Sequence, residues 1–165
     1  MTVNPISSST DERNTTIEAQ RHTISELETP VLPIWAGILA LPLVGTLDTS
    51  RAQQMNEALL QRIVETGSEV VILDITGVPV IDTAVCQHLL ETVKAARLLG
   101  AEVLIVGLST RTALTLVQLG IDLKGITTRT TLAKGLELAF ERLGLGVVQL
   151  RDSIGRSAPS DDRIG

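Results

Sequence analysis

Val70-Val71-Ile72-Leu73-Asp74-Ile75-Thr76-Gly77-Val78-Pro79-Val80-Ile81-Asp82-Thr83-Ala84 is the stretch whose reading decides the fold. The aliphatic run from Val70 to Ile75 has no polar alternation, as in a strand covered on both sheet faces. Asp74 closes it, and Gly77 and Pro79 mark a short loop. Asp82 and Thr83 then open an amphipathic segment in the manner of a helix cap. Strand, loop and helix in this order put the Thr83 hydroxyl at the carboxyl edge of a sheet, at the positive end of a helix. A phosphate added there meets unsatisfied backbone N–H groups. The stretch reads as a switch more readily than as a catalytic centre.

Working outward, Thr83 to Leu99 forms a helix with Val85, Leu89, Val93 and Ala96 on one side, ended by Gly100. Val103 to Leu108 repeats the buried-strand pattern. On the other flank, Asp48 or Thr49 caps a helix whose Ala52, Met55, Leu59 and Ile63 fall at helical spacing, and Gly67 stops it. Val31 to Trp35 and Ile38 to Val44 are two strands joined hairpin-fashion at Ala36-Gly37. Pro33 and Pro42 place part of that pair at an edge or a bulge. Downstream come a short helix from Thr110 to Leu119, a brief strand at Ile126 and Thr127, and a helix from Thr131 to Leu143. That last helix is expected to turn Leu132, Leu136, Ala139, Phe140 and Leu143 inward.

Strands alternating with helices after an initial hairpin give an α/β fold: a mixed sheet with helices packed on it. The folded domain is expected over residues 30–144. Residues 1–29 read as a flexible tail. Within it, Thr15 to Glu28 carries Ile17, Ile24 and Leu27 and reads equally as a short helix that pairs with another chain or as a solvated linker. Residues 145–165 lose all periodicity and read as a disordered tail.

Composition narrows the function. The chain has 165 residues, 44% hydrophobic, with one Trp, one Phe and no Tyr, so the core is aliphatic and base stacking on aromatics is largely excluded. A formal net charge of -5 argues against the phosphate backbone of nucleic acid as a partner. A single cysteine, Cys86, offers no disulfide framework. The first residues lack a basic region followed by an apolar run, and the apolar stretch from Ile34 to Val44 is too short and broken to span a bilayer. A cytoplasmic protein that does not enter a membrane is expected.

Catalytic and cofactor motifs are missing from the sequence. Gly107-Leu108-Ser109 after a strand lacks the further glycines of a dinucleotide fingerprint, and there is no Gly-Lys-Ser/Thr phosphate loop. Cys86 and His88, two apart on a helix, point away from each other and make a poor metal pair; His22 lies in another element. Neither a metal nor a cofactor is expected. Asp74 and Asp82 raise a receiver-type phosphoacceptor, but the first strands carry no acidic pair and the loop after the Val103 strand has Arg111 and no lysine. Asp74 as a loop cap and Asp82 as a helix cap is the favoured reading. For Thr83, an ordinary first residue of a helix and a phosphoacceptor stand level on the residues alone. Thr115 faces outward if Leu114 and Val117 face the core, and a helical threonine often bonds its own backbone.

Further residues carry a family likeness: Gly45-Thr46-Leu47-Asp48 with Arg51-Ala52, then Ile81-Asp82-Thr83, Ala95-Ala96-Arg97-Leu98-Leu99-Gly100-Ala101, and Leu114-Thr115-Leu116-Val117-Gln118-Leu119-Gly120-Ile121-Asp122-Leu123. With these the region from Pro30 to Leu143 resembles a STAS domain, the fold of anti-sigma-factor antagonists. More narrowly, it is similar to the RsbR-type scaffolds of the bacterial stressosome. The resemblance implies a non-enzymatic antagonist and scaffold that assembles through STAS domains with an RsbS-like protein and holds an RsbT-like switch kinase. It implies phosphorylation of Thr83 and Thr115, with Asp82 as the cap beside the first. R-type proteins carry a large N-terminal sensory domain, whereas about thirty residues precede the STAS-like region here, so this chain is expected to serve as scaffold and kinase substrate and not as a direct sensor. A stand-alone antagonist binding an anti-sigma kinase one-to-one is the alternative, and a small nucleotide-binding module using the Asp74–Asp82 edge is a third.

Overall fold

A computed structural model of the chain describes residues 13–17, 30–120 and 124–148. Residues 13–17 form an exposed helical turn. The remainder of the expected Thr15–Glu28 helix, and most of both expected tails, fall outside the described residues.

The sheet has five strands in the order β1-β2-β3-β4-β5. β1 (Leu32–Trp35) and β2 (Ile38–Val44) form the antiparallel pair, and β3 (Val70–Gly77), β4 (Glu102–Val106) and β5 (Thr127–Arg129) continue it in parallel. Helices α1 (Thr49–Thr66), α2 (Thr83–Leu98) and α3 (Thr110–Gln118) fill the connections between the parallel strands, and α4 (Leu132–Arg142) follows β5. The mixed α/β architecture expected from the sequence is thus present.

Both faces of β3 are covered, which explains its unbroken aliphatic run. Val71, Leu73 and Ile75 point into the larger core, shared with Leu39 and Leu41 of β2 and with Met55, Leu59, Val85 and Leu89 of α1 and α2. Val70 and Ile72 point the other way, to a smaller core closed by Leu138 and Ala139 of α4. All four residues from Val70 to Leu73 are at most 1% exposed. The two prolines sit where a missing N–H is tolerated. Pro33 lies on the edge strand, at a register shift, and β1 reaches only as far as Ala40, so Pro42 belongs to the part of β2 that β1 does not cover. The chain's only Trp and only Phe meet each other: Trp35 and Phe140 stack edge to face at 5.5 Å and tie β1 to α4.

In α4, Leu136, Ala139, Phe140 and Leu143 pack on the smaller core as expected, Gly135 and Leu138 are buried beside them, and only Leu132, 44% exposed, departs from the expectation. A side chain at Gly135 would come within 2.5 Å of Val106, so the glycine lets the helix close on the strand and sets its rotation. In α3, Leu114 and Val117 are 57% and 67% exposed, and the inward residues are Thr112 and, in part, Leu116. The condition under which Thr115 would face outward is therefore not met, and Thr115 is half-buried. β4 also ends at Val106 rather than Leu108, because Gly107 turns with φ +76°.

Candidate functional site

The carboxyl end of β3 is held by side chains that the sequence places in order. Asp74 is half-buried, and its Oδ1 accepts from the Thr76 amide at 2.9 Å and the Thr76 hydroxyl at 2.6 Å. This carboxylate spends itself on its own turn, as a loop cap does. Gly107 lies against the same threonine: a Cβ there would sit 2.0 Å from Thr76 Oγ1. The loop that follows is pinned at both ends by Val78 and Ile81, which are 5% and 4% exposed, and the Val78 amide donates to the Ile75 carbonyl. Pro79 and Val80 between them are exposed. Two buried anchors around a short exposed arch fix where α2 begins.

Asp82 is the N-cap of α2. Its backbone is extended, Oδ1 accepts from the Val85 amide at 2.8 Å, and its carbonyl takes the Cys86 amide at 2.9 Å. Thr83 is the first helical residue and is exposed, as is Ala84. The amides of a first turn have no partner within their own helix. Asp82 satisfies one of these and leaves an electropositive end beside a solvent-facing hydroxyl. Cys86, one turn further in, is buried, and desolvation followed by the nearby Asp82 carboxylate pushes its thiol above the ordinary value.

Thr115 sits differently. It is half-buried on α3 and its hydroxyl donates to the Arg111 carbonyl at 3.0 Å, the backbone bond expected of a helical threonine. Its environment does not depend on Leu114 and Val117 facing inward, since both lie in solvent. α3 is capped by Ser109, which accepts from the Thr112 amide at 3.1 Å. Cys86 and His88 do not converge: His88 pairs with Glu91 at 3.4 Å, one turn along α2, while Cys86 faces the core. Among the described residues no group of three His, Cys, Asp or Glu side chains is placed to hold a metal, and no helix is long and apolar enough to cross a membrane.

A family model of the STAS domain matches residues 29–135. The chain belongs to the STAS family. RsbT co-antagonist protein RsbRA of Bacillus subtilis (strain 168) is 43% identical over 135 residues, which make up 82% of this chain and 49% of that protein. A variant of Moorella thermoacetica RsbS superposes with a TM-score of 0.63 at 30% identity, over 71% of this chain and 98% of the other. A chain from a structure described as the molecular architecture of the stressosome, a signal integration and transduction hub, superposes with a TM-score of 0.57 at 28% identity, over 70% and 98%. The chain spans about half the length of the curated relatives it matches. The STAS assignment, and the closeness to RsbR-type co-antagonists, agree with the likeness carried by the residues.

Arg51 stands among the residues that carry the family likeness, whereas the contacts of Thr76 and Gly107 are not expected from the sequence. Thr76 completes the Asp74 turn, and Gly107, just past the end of the neighbouring strand, presses on it. Arg51 reaches back from α1 to the Val44 and Thr46 carbonyls at 2.8 and 2.7 Å, bracing the loop after β2. The signal for Arg51 was its position three residues after the Asp48 cap. For the Thr76–Gly107 approach there was none, because it joins two strands far apart in sequence.

Proposed function

We propose that this STAS chain is a non-enzymatic co-antagonist and scaffold of bacterial stress signalling. It assembles through its STAS domain, over residues 30–144, with further copies and with an RsbS-like partner, in the cytoplasm. There it sequesters an RsbT-like switch kinase, and phosphorylation of Thr83 and Thr115 by that kinase releases it. The observation that carries this reading is the Asp82–Thr83 helix start: an exposed hydroxyl at the first position of a capped helix, in a chain 43% identical to an RsbT co-antagonist.

The physical effect of phosphate differs at the two threonines. A phosphothreonine adds roughly -1.5 to -2 charges at neutral pH. At Thr83 the α2 dipole favours that charge while the Asp82 carboxylate opposes it. The modified surface repels an acidic partner and blocks a closely fitted one. At Thr115 the phosphate displaces the hydroxyl from the Arg111 carbonyl and stands in the second half of α3, where the dipole disfavours it. The guanidinium of Arg111, one turn earlier, supplies the compensating charge.

Particle size tests the scaffold against the stand-alone antagonist. The protein, an RsbS-like protein and the switch kinase are mixed and run on size exclusion with light scattering. A megadalton assembly retaining the kinase supports the scaffold, whereas a small one-to-one complex with the kinase supports the alternative. No complex with either partner contradicts both.

A further inference from the structure

A cavity of about 190 Å³ lies between α2, α3 and the sheet. Its floor is made of buried side chains, Ile75, Ile81, Cys86, Leu89 and Ile105, and its rim of the half-buried Leu116 and Ile126 and the exposed Thr128. Among the described residues the lining is almost wholly apolar. Thr112, the one buried hydroxyl in the wall, is already engaged with Ser109 at 2.8 Å. A water needs two to four polar partners to stay in such a space, and an apolar cavity of about 150 Å³ in another protein stays dry and binds benzene. The pocket here is of comparable volume, opens at its rim, and offers few polar partners, Thr112 and Thr128.

We infer that this cavity is a binding site for a small uncharged apolar molecule, of the size of one aromatic ring or a short alkyl chain. The size sets the upper bound and the lining sets the chemistry: a charged or strongly hydrogen-bonding ligand would lose its water with nothing to replace it. Interiors are packed like organic crystals, so a space of this volume leaves its walls short of contacts that an apolar occupant restores. The walls come from the first turn of α2 and from Thr112 and Leu116 on either side of Thr115. An occupant therefore fixes the spacing of those two helices. Binding itself requires neither a kinase nor a phosphate, so its test is separate from that of the proposed switch.

Benzene is the probe, and the whole unphosphorylated 165-residue chain is the target. Methyl resonances of Leu89, Leu116 and Ile126 are followed during titration, together with the rate at which Cys86, the only thiol, reacts with a disulfide reagent. The expected result is saturable shifts at these methyls, and a thiol reaction slowed about tenfold at about ten times the Kd. Leu116→Phe fills the space from α3 and Ile126→Phe fills it from the rim, and each abolishes both effects. If one of these does not fold, the other decides. Shifts that do not saturate, a Cys86 rate indifferent to benzene, or protection that survives a filling substitution overturns the inference.

Discussion

Asp82 Oδ1 lies 2.8 Å from the Val85 amide nitrogen, so the carboxylate that starts α2 is bonded across the residue proposed to be modified. The carboxylate is at once the fixed cap of the helix and a negative charge next to the Thr83 hydroxyl. Removing the cap and removing only its charge are therefore different experiments. Asp82→Ala is expected to lower stability by about 1 kcal/mol, while Asp82→Asn keeps most of that because Asn caps nearly as well. Urea unfolding measures both. Equal losses in the two variants would mean that charge, not capping, is what Asp82 supplies to stability.

Cys86 links this cap to pH. Burial first, and Asp82 second, raise the thiol's pKa in the folded protein. Above the ordinary thiol pKa the unfolded chain has lost a proton that the folded chain still holds, so stability falls as pH rises. The thiol's contribution is complete below the unfolded pKa of about 8.5 and drains away as pH climbs through the folded value. Cys86→Ala should remove this alkaline slope, read as the urea midpoint between neutral and alkaline pH. A slope that persists unchanged in Cys86→Ala would assign it elsewhere.

Two glycines with positive φ separate strain from crowding. Gly107 has φ +76° and its missing Cβ would strike Thr76 Oγ1 at 2.0 Å, while Gly100 has φ +88° with nothing within 4 Å. Gly100→Ala pays only for the left-handed backbone, about 1–2 kcal/mol. Gly107→Ala pays that and must also displace the Asp74–Thr76 turn, so it is expected to lose at least about 1 kcal/mol more. Thermal unfolding of the two variants side by side checks the order, and equal losses would show that the turn yields without cost.

The two threonines are expected to be cheap to replace. Thr83 is exposed at the first helical position, and the Thr115 hydroxyl donates to the Arg111 carbonyl of its own helix. Thr83→Ala and Thr115→Ala should each stay within about 0.5 kcal/mol of the parent protein in urea unfolding. Any loss of kinase release in these variants then reports on the switch and not on the fold. A larger loss at Thr115 would mark its hydroxyl as structural.

Much of the fold was legible because its signals are local and redundant. Val70 to Leu73 could only be a strand covered twice, and Asp48 with Gly67 bracketed α1 with the correct inward residues. α3 was harder. Nine residues hold two and a half turns, and Leu114, Leu116 and Val117 together do not say which stripe is buried until a neighbour is known. Only packing beside the apolar cavity selects Leu116. In α4 the deciding residue was Gly135, which carries no hydrophobic signal but lets the helix close on Val106. At the site, Asp82 declared its cap by sequence position, and Asp74 declared its loop. The approach of Gly107 to Thr76 did not, being a contact between adjacent strands with no local mark.

The central claim is tested most directly by mapping phosphate on the intact protein after incubation with an RsbT-like kinase and Mg-ATP. Mass spectrometry should place it on Thr83 and Thr115, with Thr83→Ala still binding the kinase but failing to release it. Full kinase release with neither threonine labelled would contradict the account.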